Sequence, residues 1–158
     1  MAVEDRPHLT VAAVVEREGR YLVVEENERG RIVFNQPAGH VEAGETLVEA
    51  VVRETLEETA WHFEPRYLIG LYRYYSPWNE VTYLRLCFAG RVVGHEPERP
   101  LDRGIVQALW MSRDELLANE PRLRSPMVLR CIDDYVDGRR YPLDLLTEVV
   151  WPEDGEGS

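Results

Sequence analysis

The sequence predicts an α/β fold, with a sheet of short β-branched runs and helices packed on its flanks, and three observations carry that expectation. Apolar runs of strand length recur between glycine-bearing polar stretches, first over residues 9–34 and again over 67–111. Between these two groups, residues 46–59 show helical periodicity instead. Two more helical patterns follow the last strand-like run. With 158 residues, 44% of them hydrophobic, the chain can bury a sizeable core, and no repeat or linker interrupts it, so one domain over 1–158 is expected.

Taken in order, residues 9–15 and 21–24 are separated by Glu16-Arg17-Glu18-Gly19-Arg20 and read as a β-hairpin. A second polar turn, Asn27-Glu28-Arg29-Gly30-Arg31, leads to a strand at 32–34 that Asn35-Gln36-Pro37-Ala38-Gly39 closes. Pro37 points to a strand end or edge. Thr46 is the expected N-cap of the first helix, with Glu49 as its capping-box partner. Val48, Val52 and Leu56, with Thr59, line its expected buried side. Nearly opposite stand Glu54, Glu57 and Glu58, which share an arc of roughly 100°.

Residues 67–75 and 81–93 are strands joined by Ser76-Pro77-Trp78-Asn79-Glu80. In the second, Leu84, Leu86 and Phe88 alternate with Tyr83, Arg85 and Cys87, leaving one face for a core and the other to line a cleft. A loop over 94–104, with Pro97, Pro100 and Gly104, precedes a last strand at 105–111. Ser112, with Glu115 three residues on, caps a short helix over 113–118. Ser125-Pro126 starts another over 127–136, ended by Asp137-Gly138. Residues 152–158 read as a frayed acidic tail.

Charge narrows the functional classes. Twenty-nine acids against 18 bases give a formal net charge of -11, which disfavours non-specific binding to nucleic acid or to an anionic membrane. A phosphorylated small molecule stays compatible where a metal ion or arginines supply local positive charge. Residues 1–7 carry Glu4 and Asp5 where a secretory signal would be basic and then apolar. Nowhere do about 18 consecutive apolar residues occur. Cys87 and Cys131 are expected to pack as reduced hydrophobes rather than to pair. Cytoplasm is the expected compartment and a monomer the default, though no sequence feature sets the oligomeric state.

Like charges at helical spacing repel, so the face bearing Glu54, Glu57 and Glu58 is either a solvated surface or a holder of cations. Its surroundings are specific: Gly39, five residues, Glu45, seven residues, then Arg53-Glu54-Thr55-Leu56-Glu57-Glu58. This resembles the Nudix box, in which Gly39, Glu45, Arg53, Glu54, Glu57 and Glu58 all fall where the pattern asks. Thr55 stands where an aliphatic residue is usual and Ala60 where glycine is usual. Glycine at that point would supply a positive φ, which alanine adopts reluctantly.

The resemblance implies an α/β/α sandwich with a mixed sheet. It implies Mg²⁺, or Mn²⁺, bound by Glu54, Glu57 and Glu58 with the Gly39 carbonyl as a further ligand, and Glu54 as a base near the attacking water. Glu45 and Arg53 would form an internal ion pair that orients the loop and the carboxylates. Hard divalent cations prefer carboxylate, carbonyl and water oxygens, in agreement with that set. Such a metal neutralises phosphate charge, orients a diphosphate and activates water.

Specificity must then lie outside the box. Asn35 and Gln36 could face a cleft, with turn capping an equal alternative. Tyr72, Tyr74, Trp78, Tyr83 and Arg85 could stack on a ring or contact phosphate, with packing or surface as the plainer reading. His40 could touch phosphate or be an exposed loop histidine. Many family members place an acid just before the last strand; here Gly104 holds the adjacent position, with Asp102 and Glu98 nearby, so that acid stays unassigned.

Residues 35–50, Leu123-Arg124-Ser125-Pro126, Arg140-Tyr141-Pro142-Leu143 and Trp151-Pro152 are similar to the NudJ-type bacterial phosphatases. That resemblance implies hydrolysis of thiamine pyrophosphate, hydroxymethylpyrimidine pyrophosphate and nucleoside di- and triphosphates, with release of orthophosphate. An ADP-ribose or nucleoside diphosphate-sugar pyrophosphatase is the alternative, since Pro77, 16 residues beyond Trp61, stands where such enzymes often carry a proline. The alternative of another class is a non-catalytic nucleotide-binding module, against which the intact box carboxylates argue.

Overall fold

A computed structural model describes residues 6–152. Glu4, Asp5 and the tail residues 153–158 lie outside the described residues. Seven strands and three α-helices follow in the order β1 (His8–Arg17), β2 (Arg20–Glu28), β3 (Arg31–Asn35), β4 (Ala38–His40), α1 (Leu47–Thr59), β5 (Trp61–Ser76), β6 (Val81–His95), β7 (Ile105–Ser112), α2 (Arg113–Ala118) and α3 (Met127–Val136). The main strand order is β3-β2-β1-β6-β5, with β4 on β1 and β7 on β2. The β1–β6 pair is parallel and the other pairs are antiparallel, so the sheet is mixed, as the resemblance implied.

The expected hairpin of β1 and β2 is only partly present. Just Glu16 and Arg17 of β1 pair with β2, whereas His8 through Val15 pair with β6, and Thr10 to Ala12 also pair with β4. The reason lies in burial on both faces. Val11, Ala13 and Val15 enter one core cluster with Ala50 and Val51 of α1, while Ala12 and Val14 enter the other with Leu116 of α2 and Val128 and Ile132 of α3. A strand enclosed on both faces reads as a continuous apolar run and sits in mid-sheet, where both backbone edges find partners.

Helix α1 starts as expected, with Thr46 Oγ1 accepting from the Glu49 N–H at 3.1 Å. Its buried stripe differs from the expected one: Ala50, Val51, Thr55, Glu58 and Thr59 are buried, while Val52 and Leu56 are only half-buried. Two threonines can be enclosed because their hydroxyls donate one turn back, Thr55 to the Val51 carbonyl at 2.7 Å and Thr59 to that of Thr55 at 2.6 Å. The rotation carries Glu58 into the protein. Ala60 ends the helix in the left-handed region, φ 62°, with its N–H on the Leu56 carbonyl.

Strand β5 begins at Trp61, earlier than the expected residue 67, and contains Pro65. Bulges at 62/63, 65/67 and 68/70 accommodate the proline on this outer strand. Strand β4, where the sequence suggested only a closing turn, is a three-residue segment whose register on β1 sets Gly39 opposite Val11. Helices α2 and α3 occupy the expected residues, and Ser112 caps α2. Both cysteines are buried and unpaired as disulfides. Among the described residues no helix is long and apolar enough to cross a membrane.

Candidate active site

The loop after β4 is held by the residue that the box pattern places on α1. Arg53 Nε and Nη2 donate to the two Glu45 oxygens at 2.8 and 2.7 Å, and Nη2 also reaches the His40 carbonyl at 3.1 Å. Its Nη1 donates to Glu54 at 2.9 Å and Glu57 at 3.0 Å. Glu45 in turn accepts from the Glu42 N–H at 2.8 Å, which closes the loop, and Gly44 supplies a φ of +82°. Such a bidentate fork fixes both position and orientation. The hydrogen bonds from Arg53 hold the Glu45 carboxyl below its ordinary range.

Beside this network, Glu54, Glu57 and Asp102 each offer a carboxylate oxygen, and these three oxygens lie within 4.8 Å of one another. Asp102 reaches the cluster because its N–H caps the Glu57 carbonyl at 2.9 Å while its own carbonyl accepts from Ile105 at 3.0 Å. Gly104, at φ +93°, turns the chain there and accepts from the Asn27 N–H. Sequence spacing left this acid unassigned because the docking of the loop on the last turn of α1 is a tertiary fact.

Glu58 stands apart from the triad. Its carboxylate accepts from the Ala38 N–H at 2.8 Å and is buried, and burial pushes its pKa well above the ordinary value, with Glu26, Glu54 and Asp102 adding to the rise against the pull of that hydrogen bond. Glu54 is pushed up to about 7, first by burial, with Glu57 and Asp102 reinforcing and Arg53 opposing. Gly39 passes so close that a Cβ there would overlap the Glu54 carboxylate. The cluster is therefore rich in charge that burial disfavours, a combination typical of functional sites.

A cavity of about 620 Å³ opens beside Gly39, Glu54 and Glu58. Asn35, Tyr83, Arg85 and Trp78, singled out from the sequence, line it, as do Tyr74 and His40. Gln36 lies behind the wall, 2% exposed, bonded to Arg85 and to the Val128 carbonyl. Tyr72 turns away and donates to Asp134 at 2.7 Å. The His40 Nε2 lies 3.0 Å from His8 Nδ1, and burial lowers the His40 pKa. Pro77 sits in the turn that presents Trp78.

Among the wall residues to which the sequence assigned no role in the cleft are Arg124, whose Nη1 meets Glu26 at 2.8 Å and Glu28 at 3.0 Å, and Arg31, whose guanidinium lies 5.1 Å from the Trp78 ring centre. Arg124 reaches the cavity from a segment remote in sequence, whereas Arg31 opens β3, the strand that also carries Asn35.

Residues 6–131 match the NUDIX domain family. The chain is 43% identical over 147 residues to phosphatase NudJ of Escherichia coli K12, covering 93% of this chain and 95% of that protein. A NUDIX hydrolase from Nitrosomonas europaea superposes with a TM-score of 0.89 at 50% identity, over 91% of this chain and 98% of the other. An ADP-ribose pyrophosphatase from Streptococcus suis shares the fold at a TM-score of 0.65 and 19% identity, over 86% of this chain and 96% of its own. A family match over most of the chain, with relatives this similar along nearly their whole length, places the chain among the Nudix hydrolases.

Proposed function

We propose that the chain is a Mg²⁺-dependent phosphohydrolase that releases orthophosphate from thiamine pyrophosphate, hydroxymethylpyrimidine pyrophosphate and nucleoside di- and triphosphates. The observation that carries this reading is the Glu54–Glu57–Asp102 triad, one member of which, Glu54, also forms part of the cavity wall. An all-oxygen donor set suits a hard cation, Mg²⁺ or Mn²⁺, rather than a soft one. The raised pKa values of Glu54 and Glu58 fit the same reading, since a cation is the charge this cluster lacks. When bound, the metal would neutralise phosphate charge and make a bound water more acidic.

The chain's own groups supply the rest. Glu54, Glu57, Glu58 and the Gly39 carbonyl are the proposed ligands, joined by Asp102. Glu54 is also the proposed base, because Arg53 occupies its Oε1 and no hydrogen bond among the described residues occupies Oε2. As the water oxygen bonds to the terminal phosphorus, its proton passes to Glu54 and the bridging P–O bond breaks, the electron pair leaving with the bridging oxygen. Arg53 and Glu45 keep loop and helix in register. Trp78 and Tyr83 offer aromatic surface for a ring, and Asn35, Gln36 and Arg85 form or back the wall beside them. A small phosphorylated molecule is the partner, and a cytoplasmic monomer the proposed setting.

Assays of thiamine pyrophosphate, GDP and ADP-ribose with Mg²⁺, with products identified, test the reading. Orthophosphate from the first two is expected, and loss of turnover with EDTA. Cleavage of ADP-ribose alone, to a nucleoside monophosphate, overturns it in favour of the pyrophosphatase alternative. Glu57→Gln and Glu58→Gln are each expected to lower kcat by about 100-fold or more, and full activity in either removes the mechanism.

A further inference from the structure

Arg85 is 7% exposed, yet no carboxylate holds its guanidinium: Nη1 donates to Gln36 Oε1 at 3.0 Å and Nη2 to Asn35 Oδ1 at 3.4 Å, and the buried Cys131 thiol lies beside it. Among the described residues no carboxylate lies within ion-pair distance of it. Arg53 is engaged by Glu45, Glu54 and Glu57, and Arg124 by Glu26 and Glu28, while Arg29 and Arg31, which also line the cavity, are exposed to solvent, so Arg85 is the buried arginine of the lining that has no carboxylate partner among the described residues. A chain with 29 acids has no shortage of counter-ions, and burying a cation without one is costly. The orientation of this guanidinium is nonetheless fixed. Gln36 Nε2 must donate to the Val128 carbonyl, at 2.6 Å, so Oε1 can only face Arg85.

Position adds the rest. In the sheet register His40, Thr10 and Arg85 stand side by side across β4, β1 and β6, and all three line the cavity. Two strand spacings, about 10 Å, therefore separate Arg85 from the β4 wall where Gly39 meets Glu54. The cavity has Glu54 and Glu58 at the β4 wall and, across its floor, a preoriented guanidinium with no carboxylate partner among the described residues.

We propose that Arg85 is the specificity residue that receives the terminal, unsubstituted phosphoryl group of the substrate, with Gln36 as its positioning residue. An unsubstituted phosphate carries nearly two charges near pH 7 and presents free oxygens to the planar fork. Each phosphate of a diphosphate esterified at both ends carries one charge and a bulky substituent. The cavity thus selects diphosphates with a free end over doubly esterified ones. This assignment rests on the phosphohydrolase reading for its activity test, and its binding test is independent of that reading.

The test uses the full chain. Metal-free calorimetry with methylenediphosphonate, which cannot be hydrolysed at its bridge, is expected to show about 100-fold weaker binding for Arg85→Gln than for wild type. Asn35→Asp keeps the guanidinium and sets a carboxylate beside it; its affinity for the probe is expected to fall about 10-fold with the circular dichroism spectrum unchanged. With Mg²⁺, Arg85→Gln should lower kcat/KM for GDP about 100-fold and leave ADP-ribose cleavage, where measurable, within about 3-fold. If wild type turns over none of these substrates, the phosphohydrolase reading fails and the binding arm alone decides the role of Arg85. Wild-type binding of the probe by both Arg85→Gln and Asn35→Asp, or an equal loss of kcat/KM for GDP and ADP-ribose, overturns the assignment.

Discussion

At Arg53 one guanidinium meets Glu45, Glu54, Glu57 and the His40 carbonyl, so a single side chain couples the loop that carries Gly39 to the helix that carries the acids. Lysine keeps the charge but cannot reproduce the fork. Arg53→Lys is expected to lower kcat/KM by about 10- to 100-fold, and Mg²⁺ affinity with it, as found for residues that orient metal ligands. A kinetic titration with Mg²⁺ checks this. Gly39 makes a sharper case. The added methyl of Gly39→Ala meets the far end of a flexible side chain, so the fold should survive while the Glu54 carboxylate moves aside. Expected are a near-native melting temperature and a loss of kcat of about 100-fold, the scale that a displacement near 1 Å brings.

Helix α1 separates what could be read from the sequence from what could not. Its N-cap, its length and the cluster of acids follow from local rules, because capping and i, i+4 geometry involve neighbours only. The rotation of the helix against the sheet does not. Threonine counts as polar in a periodicity argument, and only the intrahelical bonds of Thr55 and Thr59 reveal that the polar-looking side is the buried one. Ala60 shows the same limit at the other end, adopting a left-handed conformation that costs about 1–2 kcal/mol for an L-residue. A contrast between two buried alanines tests this. Ala50→Gly, in the helix interior, is expected to destabilise by about 1–2 kcal/mol, whereas Ala60→Gly, which relieves the strain while losing a methyl, should stay within about 0.5 kcal/mol of wild type. Urea denaturation of both variants measures the difference.

On the scale of the whole molecule, α1 packs on one face of the mixed sheet and α2 and α3 on the other, and the acids collect where β4, α1 and the 96–104 loop converge. Strand-like runs and box spacing announced the layers and the first acids. Asp102, the β4 pairing and the isolation of Arg85 arise from contacts between distant segments, which no local pattern encodes. That convergence makes stability depend on pH and metal together. Burial raises the Glu54 pKa from its ordinary value to about 7, so in the metal-free protein the folded state holds a proton that the unfolded chain releases near pH 4.5. A group raised in the folded state stabilises below its unfolded pKa, and that contribution is lost as pH climbs to the folded value. The loss here is on the order of 3 kcal/mol at full ionisation, and the rise at Glu58 acts in the same direction. A divalent cation binds the ionised form and cancels the effect. Metal-free protein should therefore melt at a lower temperature at pH 7.5 than at pH 5.5, and 5 mM Mg²⁺ (about physiological to assay range) should raise the melting temperature clearly at pH 7.5 and much less at pH 5.5. Calorimetric scans at the two pH values, with Mg²⁺ and with EDTA, measure both differences; an equal Mg²⁺ shift at the two pH values would show that Glu54 ionisation is not linked to metal binding.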